Sequence, residues 1–231
     1  MIRLPNGTLV VKTKDEVLAL ANSMKCTENL EKRIKPEEFQ PKFMKTDLRT
    51  YTVEIEGQEP RELKREILQT RPATVVMPIT DKGNVIIVIQ PRAYKATGSI
   101  ELPAGYNDPI AGNSDIVEDS LVTGKRELIE ETGYVPKTLE KLGTHQQDQG
   151  KFTTSNYSVL ALGCNPTSEQ SLDKDEIIIQ VECPYSVVLE LMQEEYISDS
   201  NSIIAIMKST NRIKEYINEI KTKQKDYEPE L

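Results

Sequence analysis

The chain has 231 residues, of which 37% are hydrophobic and 29% are charged, so it can bury a core. Its formal net charge of −8 argues against the basic face that nucleic-acid-binding proteins usually carry, and we expect no nucleic-acid partner. One histidine excludes a multi-histidine zinc site, and three cysteines without a CxxC spacing indicate reduced thiols in a cytoplasmic protein. The sequence has no signal-like opening run and no stretch of about 18 apolar residues, so we expect neither export nor a membrane span.

Residues 1–48 are predicted to form an N-terminal extension. A short hairpin is predicted over residues 4–11, with an Asn-Gly turn. Helical periodicity follows at residues 15–24, and residues 28–34 are a candidate second helix. We find no catalytic motif in this extension.

The residues after position 48 alternate between strand and helix patterns, which predicts an α+β fold. The strongest hairpin signal joins residues 73–79 to residues 85–90, two runs rich in β-branched residues separated by Asp-Lys-Gly-Asn. We assign residues 49–223 to one domain and residues 224–231 to a tail. Further strands are predicted at 49–55, 61–70, 139–145, 157–162 and 177–181, and further helices at 186–195 and 202–223.

The most informative segment is a predicted helix with a fixed pattern of charged residues. Asp119 or Ser120 can cap its start, and Gly133 can end it. Glu127 and Glu131 lie four residues apart and therefore share one helix face. Crowded carboxylates repel one another unless a cation lies among them, and hard oxygen ligands suit Mg²⁺ or Mn²⁺. A solvated, charged helix face is the alternative interpretation, but the wider spacing favours a metal site. The full pattern comprises Gly112, Glu118, Arg126, Glu127, Leu128, Glu130, Glu131 and Gly133.

This pattern resembles the Nudix box at every position except the last, where Tyr134 replaces an aliphatic residue. Two further segments resemble the ADP-ribose pyrophosphatase branch of that superfamily. One is Gln90-Pro91-Arg92 followed by Glu101–Gly105, and the other is residues 189–199. The resemblance covers residues 49–210 and implies a Nudix-like α/β/α sandwich with a mixed sheet, preceded by N-terminal antiparallel strands.

The resemblance also implies site residues by position. Glu127 and Glu131 would bind Mg²⁺ or Mn²⁺ together with the backbone carbonyl of Ala104, and Glu130 would be a further ligand or a base. Glu101 could touch substrate, although an ordinary carboxylate at a strand end is an equally good interpretation. The remaining residues would be Glu118 and Arg126, which would tie the loop to the helix, and Arg92 and Arg71, which would bind substrate.

The implied function is metal-dependent hydrolysis of the pyrophosphate in a nucleoside diphosphate linked to another moiety. The expected substrate is ADP-ribose or a related nucleotide sugar, which would give a nucleoside monophosphate and a sugar phosphate. In this branch the N-terminal strands often swap across a homodimer, so residues 49–71 are the expected dimer interface. The alternative is a catalytically impaired Nudix-fold sensor that binds a nucleotide sugar without cleaving it.

The opening glycine of the box is one departure from the family pattern. Gly112 has the formal spacing to Glu118, yet Gly105 occupies the place that the opening glycine usually takes. If Gly105 is the equivalent residue, a seven-residue insertion follows it beside the site.

The catalytic base is the second departure. Members of the branch often place a catalytic glutamate on a loop after the helix, and here residues 148–156 contain none. Asp148 or Glu130 could serve instead. Weaker candidates lie in a later acidic loop, namely Glu169, Asp173, Asp175 and Glu176.

Overall fold

The computed structural model of the chain describes residues 1–27, 44–110 and 113–226. The predicted helix at 28–34, Gly112 and the end of the predicted tail lie outside the described residues. In chain order the strands are β1 (Ile2–Arg3), β2 (Leu9–Val10), β3 (Met44–Val53), β4 (Arg61–Thr70), β5 (Ala73–Thr80), β6 (Asn84–Gln90), β7 (Ser99–Glu101), β8 (Ala104–Tyr106), β9 (Pro109–Ile110), β10 (Asn113–Val117), β11 (Tyr134–Val135), β12 (Thr138–His145), β13 (Asn156–Pro166) and β14 (Ile179–Pro184). The helices are α1 (Lys14–Ser23), α2 (Ser120–Thr132), α3 (Tyr185–Gln193) and α4 (Ser200–Asp226).

A mixed sheet forms the centre of the molecule. Its strand order is β1-β2-β14-β6-β5-β13-β11, and β12, β7 and β8 pair with β13, β6 and β5 respectively. The β13–β5 and β14–β2 pairs are parallel, and the other pairs in this sheet are antiparallel. The predicted hairpin forms, with Ile79 opposite Val85 and Gly83 at φ +78° in the turn. β6 is buried from Val85 to Ile89 because both sheet faces are covered, which suits its unbroken β-branched run.

The two faces of the sheet carry different helices. Alternate residues of β5 show this, since Val75, Met77 and Ile79 belong to one core cluster and Val76 belongs to the other. The larger cluster contains residues of α1, α3 and α4, and the smaller one contains Leu128 of α2. The structure is therefore the α/β/α sandwich with a mixed sheet that the sequence predicted.

Tyr134, the unusual last residue of the box, fills the smaller core cluster. Its side chain is fully buried, and its hydroxyl donates to Glu182 Oε2 at 2.9 Å. Asn84 Nδ2 donates to the other oxygen of Glu182 at 2.8 Å. The tyrosine therefore replaces an aliphatic residue because its hydroxyl satisfies a buried carboxylate.

The N-terminal residues extend the main sheet. β1 and β2 form the predicted hairpin, with Gly7 at φ +88°, and β2 then pairs in parallel with β14. α1 begins with a capping box formed by Thr13 and Glu16. It buries Val17 and Ala21 in the larger core cluster. These residues thus share the core of the following domain.

A two-stranded ribbon, formed by β3 and β4, stands apart from the main sheet. The strands pair over their full length, from Met44 opposite Thr70 to Val53 opposite Arg61. At its base, Leu68 N donates to Lys151 O at 2.7 Å. Leu48, further along the ribbon, is 71% exposed. Among the described residues no helix has the length and apolar character needed to cross a bilayer.

Candidate active site

The helix that carries the box, α2, begins and ends as its sequence predicts. Asp119 is the N-cap and accepts from Leu121 N at 2.9 Å. Gly133 is the C-cap with φ +68°, a left-handed conformation that favours glycine. Leu128 packs in the core, whereas Leu121 is only half-buried and lines a surface recess with Val122. The seven-residue spacing of Leu121 and Leu128 predicts that both leucines face the core, and the structure confirms this for Leu128 alone.

Glu127 and Glu131 lie against the turn that contains Ala104 and Gly105. Glu131 Oε2 accepts from Ala104 N at 3.2 Å. A Cβ atom on Gly105 would lie 2.0 Å from Glu127 Cδ, so any larger residue here would displace the Glu127 carboxylate. Glycine at position 105 thus keeps this carboxylate in place, and this supports Gly105 as the opening glycine of the box.

Burial determines the electrostatics of these two carboxylates. Glu127 is 9% exposed and Glu131 is 3% exposed. Loss of hydration raises the pKa of Glu127 to about 7, although the Arg126 charge opposes this shift. Burial, followed by the charge of Glu127, raises the pKa of Glu131 well above its usual value. The pair is therefore unfavourable as two anions unless positive charge lies close by.

Arg126 supplies positive charge and joins the predicted box residues. Its Nη1 donates to Glu127 Oε1 at 2.7 Å and to Glu130 Oε2 at 3.1 Å. Its Nη2 donates to Tyr106 O at 3.1 Å and to Glu118 Oε2 at 3.4 Å. One guanidinium therefore connects α2 to the residues on both sides of the inserted segment, the arrangement expected for a structural role of Arg126 and Glu118.

The inserted segment forms a small hairpin, β9–β10, that is anchored beside the site. Asn107 is fully buried, and its Nδ2 donates to Glu118 O at 3.1 Å. Arg71 Nη2 donates to Asp108 Oδ1 at 2.8 Å, and its guanidinium carbon lies 5.6 Å from the centre of the Tyr106 ring. The contacts of Arg71 thus join it to the inserted segment, which the sequence alone did not indicate.

Glu101 and Arg92 form a close ion pair next to the carboxylates of α2. Arg92 Nε donates to Glu101 Oε1 at 2.9 Å, and Arg92 Nη2 donates to Oε2 at 2.6 Å. Burial alone would raise the pKa of Glu101, but Arg92 holds it below its usual range. The charge of Glu101 also contributes to the raised pKa of Glu131, after burial and the charge of Glu127. Glu101 thus orients Arg92 beside the site and is more than an ordinary carboxylate at a strand end.

Glu176, which the sequence offered only as a weaker candidate, acts electrostatically on both carboxylates of α2. After burial, which is the main cause, its charge contributes to the raised pKa values of both Glu127 and Glu131. The loop that carries Glu176 is attached to α2, since Ser171 N donates to Glu130 O at 2.8 Å and Gln170 Nε2 donates to Glu131 O at 2.5 Å. The only sequence signal for Glu176 was its place in an acidic loop between two predicted strands. The contact of this loop with α2 depends on the tertiary fold, which the sequence pattern did not predict.

Asp148 is engaged in its own loop. It is exposed, and its Oδ1 accepts from Gly150 N at 2.8 Å. This contact closes a local turn, a common role of aspartate in loops. The described contacts of Asp148 therefore connect it to neighbouring residues of the chain rather than to α2.

The donor set suits a hard divalent cation. Among the described residues, no group of three Asp, Glu, His or Cys side chains is arranged to hold a metal ion. Mg²⁺, however, is commonly bound by one or two carboxylates, with waters and substrate phosphates completing its shell. Glu127 and Glu131 provide two buried carboxylates whose charges need compensation. These residues therefore fit such an ion.

Substitution of Gly105 by alanine should disrupt the site. The new methyl group would overlap the Glu127 carboxylate, so we expect a loss of stability of at least about 1–3 kcal/mol, typical of overpacking, together with loss of any metal-induced stabilisation. Gly124→Ala is the matched control, since its Cβ would lie 3.2 Å from Val76 Cγ2 and alanine favours a helix by about 1 kcal/mol. Urea denaturation with and without Mg²⁺ measures both effects. Equal behaviour of the two variants would argue against this role of Gly105.

Comparison with known proteins agrees with this architecture. A family model described as the NUDIX domain matches residues 69–202, more than half of the chain. The methanol dehydrogenase activator of Bacillus methanolicus is 29% identical over 177 residues, which cover 76% of this chain and 90% of that protein. The ADP-ribose pyrophosphatase of Bacillus subtilis (strain 168) is 29% identical over 157 residues, which cover 68% of this chain and 81% of that protein.

A shorter match and a solved structure complete the comparison. The ADP-ribose pyrophosphatase of Methanocaldococcus jannaschii is 34% identical over 85 residues, which cover 37% of this chain and 46% of that protein. The crystal structure of an ADP compounds hydrolase shares the fold, with a TM-score of 0.55 and 20% identity over 76% of this chain and 98% of that chain. The chain therefore belongs to the NUDIX family of hydrolases, which confirms the resemblance and the enzyme class predicted from its sequence.

Proposed function

We propose that this chain is a metal-dependent hydrolase that cleaves the pyrophosphate of ADP-ribose or a related nucleotide sugar. The products are a nucleoside monophosphate and a sugar phosphate. The observation that carries this proposal is the buried pair Glu127 and Glu131, held by α2 against Ala104 and Gly105. The ADP-ribose pyrophosphatases among its relatives support this substrate class.

Nudix hydrolases generally use divalent metal ions. Here Glu127, Glu131 and the backbone carbonyl of Ala104 would hold Mg²⁺ or Mn²⁺. A bound ion of this kind neutralises phosphate charge and lowers the pKa of a coordinated water. Arg126 keeps Glu127 in place through its hydrogen bond, so the ligands keep their positions when substrate arrives.

Arg92 would bind a phosphate group of the substrate. Its guanidinium is fixed by two hydrogen bonds to Glu101, and its side chain remains 45% exposed. A fixed guanidinium costs little entropy when it donates to an anion, and its planar fork matches phosphate oxygens. Glu101 therefore acts as the positioning residue for Arg92. Arg71 would bind the substrate from the side of the inserted hairpin.

Glu176 is our candidate for the base that removes a proton from the attacking water. The loop that carries Glu176 is attached to α2 through Ser171 and Gln170, whereas the described contacts of Asp148 stay within its own loop. Glu176 Oε2 accepts from Asp173 N at 2.9 Å, its side chain is exposed, and its charge acts on both Glu127 and Glu131, so Oε1 could accept from a water at the mouth of the site. The Glu130 carboxylate accepts a hydrogen bond from Arg126, which makes it less available to a water. A base from this loop would compensate for the lack of a glutamate in residues 148–156, the feature that motivated the alternative of a non-catalytic sensor.

A homodimer through residues 49–71 is part of the proposal. This segment exposes apolar side chains, among them Tyr51 at 44% and Ile55 at 52% exposed. An isolated two-stranded ribbon is marginally stable in water, and a partner surface would cover this apolar area. We also place the protein in the cytoplasm, because the three cysteines are unpaired and Cys164 and Cys183 are buried.

The metal site is tested by Glu131→Gln. Wild-type protein with Mg²⁺ or Mn²⁺ should release AMP from ADP-ribose in a panel of nucleotide sugars and dinucleotides, and the variant should lose at least about 100-fold in kcat. Mg²⁺ should raise the Tm of the wild type but not of the variant, because binding to the folded state stabilises it. Glu215→Gln, an exposed residue on α4, is the control for loss of one charge. Cleavage of no panel member by the wild type would refute the proposed activity.

The base is tested by comparing Glu176→Gln with Asp148→Asn. We expect the first variant to lower kcat by roughly 10²- to 10⁴-fold with little change in the Mg²⁺-induced rise in Tm, because only proton removal is lost. Asp148→Asn should retain nearly full kcat. Steady-state kinetics at saturating metal provide the comparison, and the reverse pattern would assign the base to Asp148.

The dimer is tested by Tyr51→Glu. A charge in a buried apolar interface is costly, so sedimentation should show a dimer for the wild type and a weakened dimer for the variant. Met207→Glu is the control, since Met207 is 64% exposed on α4, outside the ribbon. A monomeric wild type, or equal effects of both substitutions, would contradict this interface.

A further inference from the structure

The loop between β6 and β7, residues 91–98, carries two cations. Arg92 is the first and pairs with Glu101. Lys95 is the second, and a turn brings it back toward Arg92, since Lys95 N donates to Arg92 O at 2.8 Å. The two positive side chains therefore belong to one compact turn beside the carboxylates of α2.

Lys95 differs from Arg92 in its partners. Its ammonium group donates to Ser99 Oγ at 3.0 Å and to Ser198 Oγ at 3.0 Å. Both partners are neutral, so within the described part of the chain its charge is not balanced by an ion pair. A lysine has three N–H donors, and these two hydrogen bonds hold the group in place while the third donor can serve a ligand.

The position of Lys95 fits an anion at the site. Ser99, which accepts from Lys95 Nζ, lies two residues before Glu101 in β7, and side chains at this spacing share one face of a strand, so the ammonium group lies close to Glu101. Its charge is accordingly one of the smaller causes, after Arg92 and Ser99, that hold the pKa of Glu101 low. Glu101 in turn lies close enough to Glu131 to influence its charge. Lys95 is half-buried, which limits the screening of its charge by water.

The N-terminal segment 21–26 holds this loop from the other side. Gly98 N donates to Ala21 O at 3.0 Å, and Cys26 N donates to Ala96 O at 3.0 Å. Lys25 and Thr97 form an antiparallel bridge between these two hydrogen bonds. This segment precedes residue 69, where the match to the NUDIX domain begins, and is a feature of the chain outside that match.

Segment 21–26 is itself anchored to the hydrophobic core through α1. Val17 of α1 is fully buried in the larger core cluster, and Ala21 is 5% exposed. Lys14 Nζ donates to Glu194 Oε1 at 2.7 Å, which ties the start of α1 to the end of α3. The loop is therefore fastened through α1 to the hydrophobic core, and its backbone cannot shift without disturbing those contacts.

We propose that Lys95 binds a phosphate group of the substrate next to Arg92, and that residues 21–26 form a clamp that positions both cations. The proposal rests on the proposed function in so far as the substrate carries a pyrophosphate. Lysine is a common point-charge partner of phosphate, and its fixed hydroxyl contacts reduce the entropy lost on binding.

The first experiment compares Lys95→Gln, Lys95→Arg and Lys82→Gln. Lys82 lies in the turn at the opposite end of β6 and is exposed, so it controls for net charge. Calorimetry with inorganic pyrophosphate and Mg²⁺ should show roughly tenfold weaker binding for Lys95→Gln, wild-type binding for Lys82→Gln and partial recovery for Lys95→Arg. The KM for ADP-ribose should rise in parallel, with kcat changed less than about twofold, because the charge binds substrate without reacting.

Two outcomes separate this proposal from the proposed function. Wild-type protein that binds pyrophosphate through Lys95 but cleaves no nucleotide sugar supports the anion site and refutes the hydrolase. Unchanged pyrophosphate affinity in Lys95→Gln, or no binding by the wild type, refutes the anion site. A lower Tm of Lys95→Gln with wild-type affinity and KM would show that Lys95 only ties the loop to Ser198.

The second experiment tests the clamp through Cys26. Cys26→Pro removes the N–H that donates to Ala96, whereas Cys26→Ala keeps it and removes only the thiol. Amide hydrogen exchange of residues 93–98 should be faster in Cys26→Pro, and its pyrophosphate affinity should fall several-fold, while Cys26→Ala matches the wild type. Faster exchange without loss of affinity would refute the positioning role. Met24→Ala, which removes a side chain that lies against Gly98, provides the same comparison if Cys26→Pro does not fold.

Discussion

The site depends on one unfavourable interaction, the burial of two carboxylates side by side. Glu127 and Glu131 lose most of their hydration on α2, and the charge of Glu127 further raises the cost of ionising Glu131. Arg126 offsets part of this cost by direct contact with Glu127. The part of this cost that Arg126 does not offset favours the binding of an external cation. Such a cation binds more strongly because the protein has already removed water from its carboxylate ligands. The nearby backbone turn has no side chain at Gly105, and this lets the Glu127 carboxylate lie in its present position against the turn.

The other charged groups around this pair come from separate parts of the chain. Arg92 lies on the loop after β6, and Glu101 is the last residue of β7. Glu176 lies on the loop before β14. The sandwich brings these elements to one end of α2 because β5 and β6 occupy the middle of the sheet, with α2 packed on one face. The rigid sheet therefore fixes the distances between groups of opposite charge, while exposed loops contribute the residues that contact solvent and substrate.

Local sequence patterns predicted the helices and strands well, because caps and turns depend on residues that are close together in the sequence. The caps of α2 follow from Asp119 and Gly133, and the β5–β6 hairpin follows from β-branched runs around a glycine turn. Tertiary contacts explain the failures. Spacing alone could not choose between Gly105 and Gly112, since the choice depends on how closely the Glu127 carboxylate approaches the backbone. The last predicted strand, placed at 177–181, begins instead at Ile179, because Ile177 is 64% exposed on the acidic loop.

The parallel pairing of β2 with β14 has a consequence for how the chain folds. Leu9 lies opposite Val181, so the two strands are separated by more than two thirds of the sequence. During synthesis the first strand leaves the ribosome long before its neighbour exists, and the core around α1 cannot close until that neighbour arrives. Pairing over such a sequence distance carries a large loop-closure entropy and slows folding relative to local hairpins. The early residues of the nascent chain therefore remain open to chaperones until β14 has been synthesised.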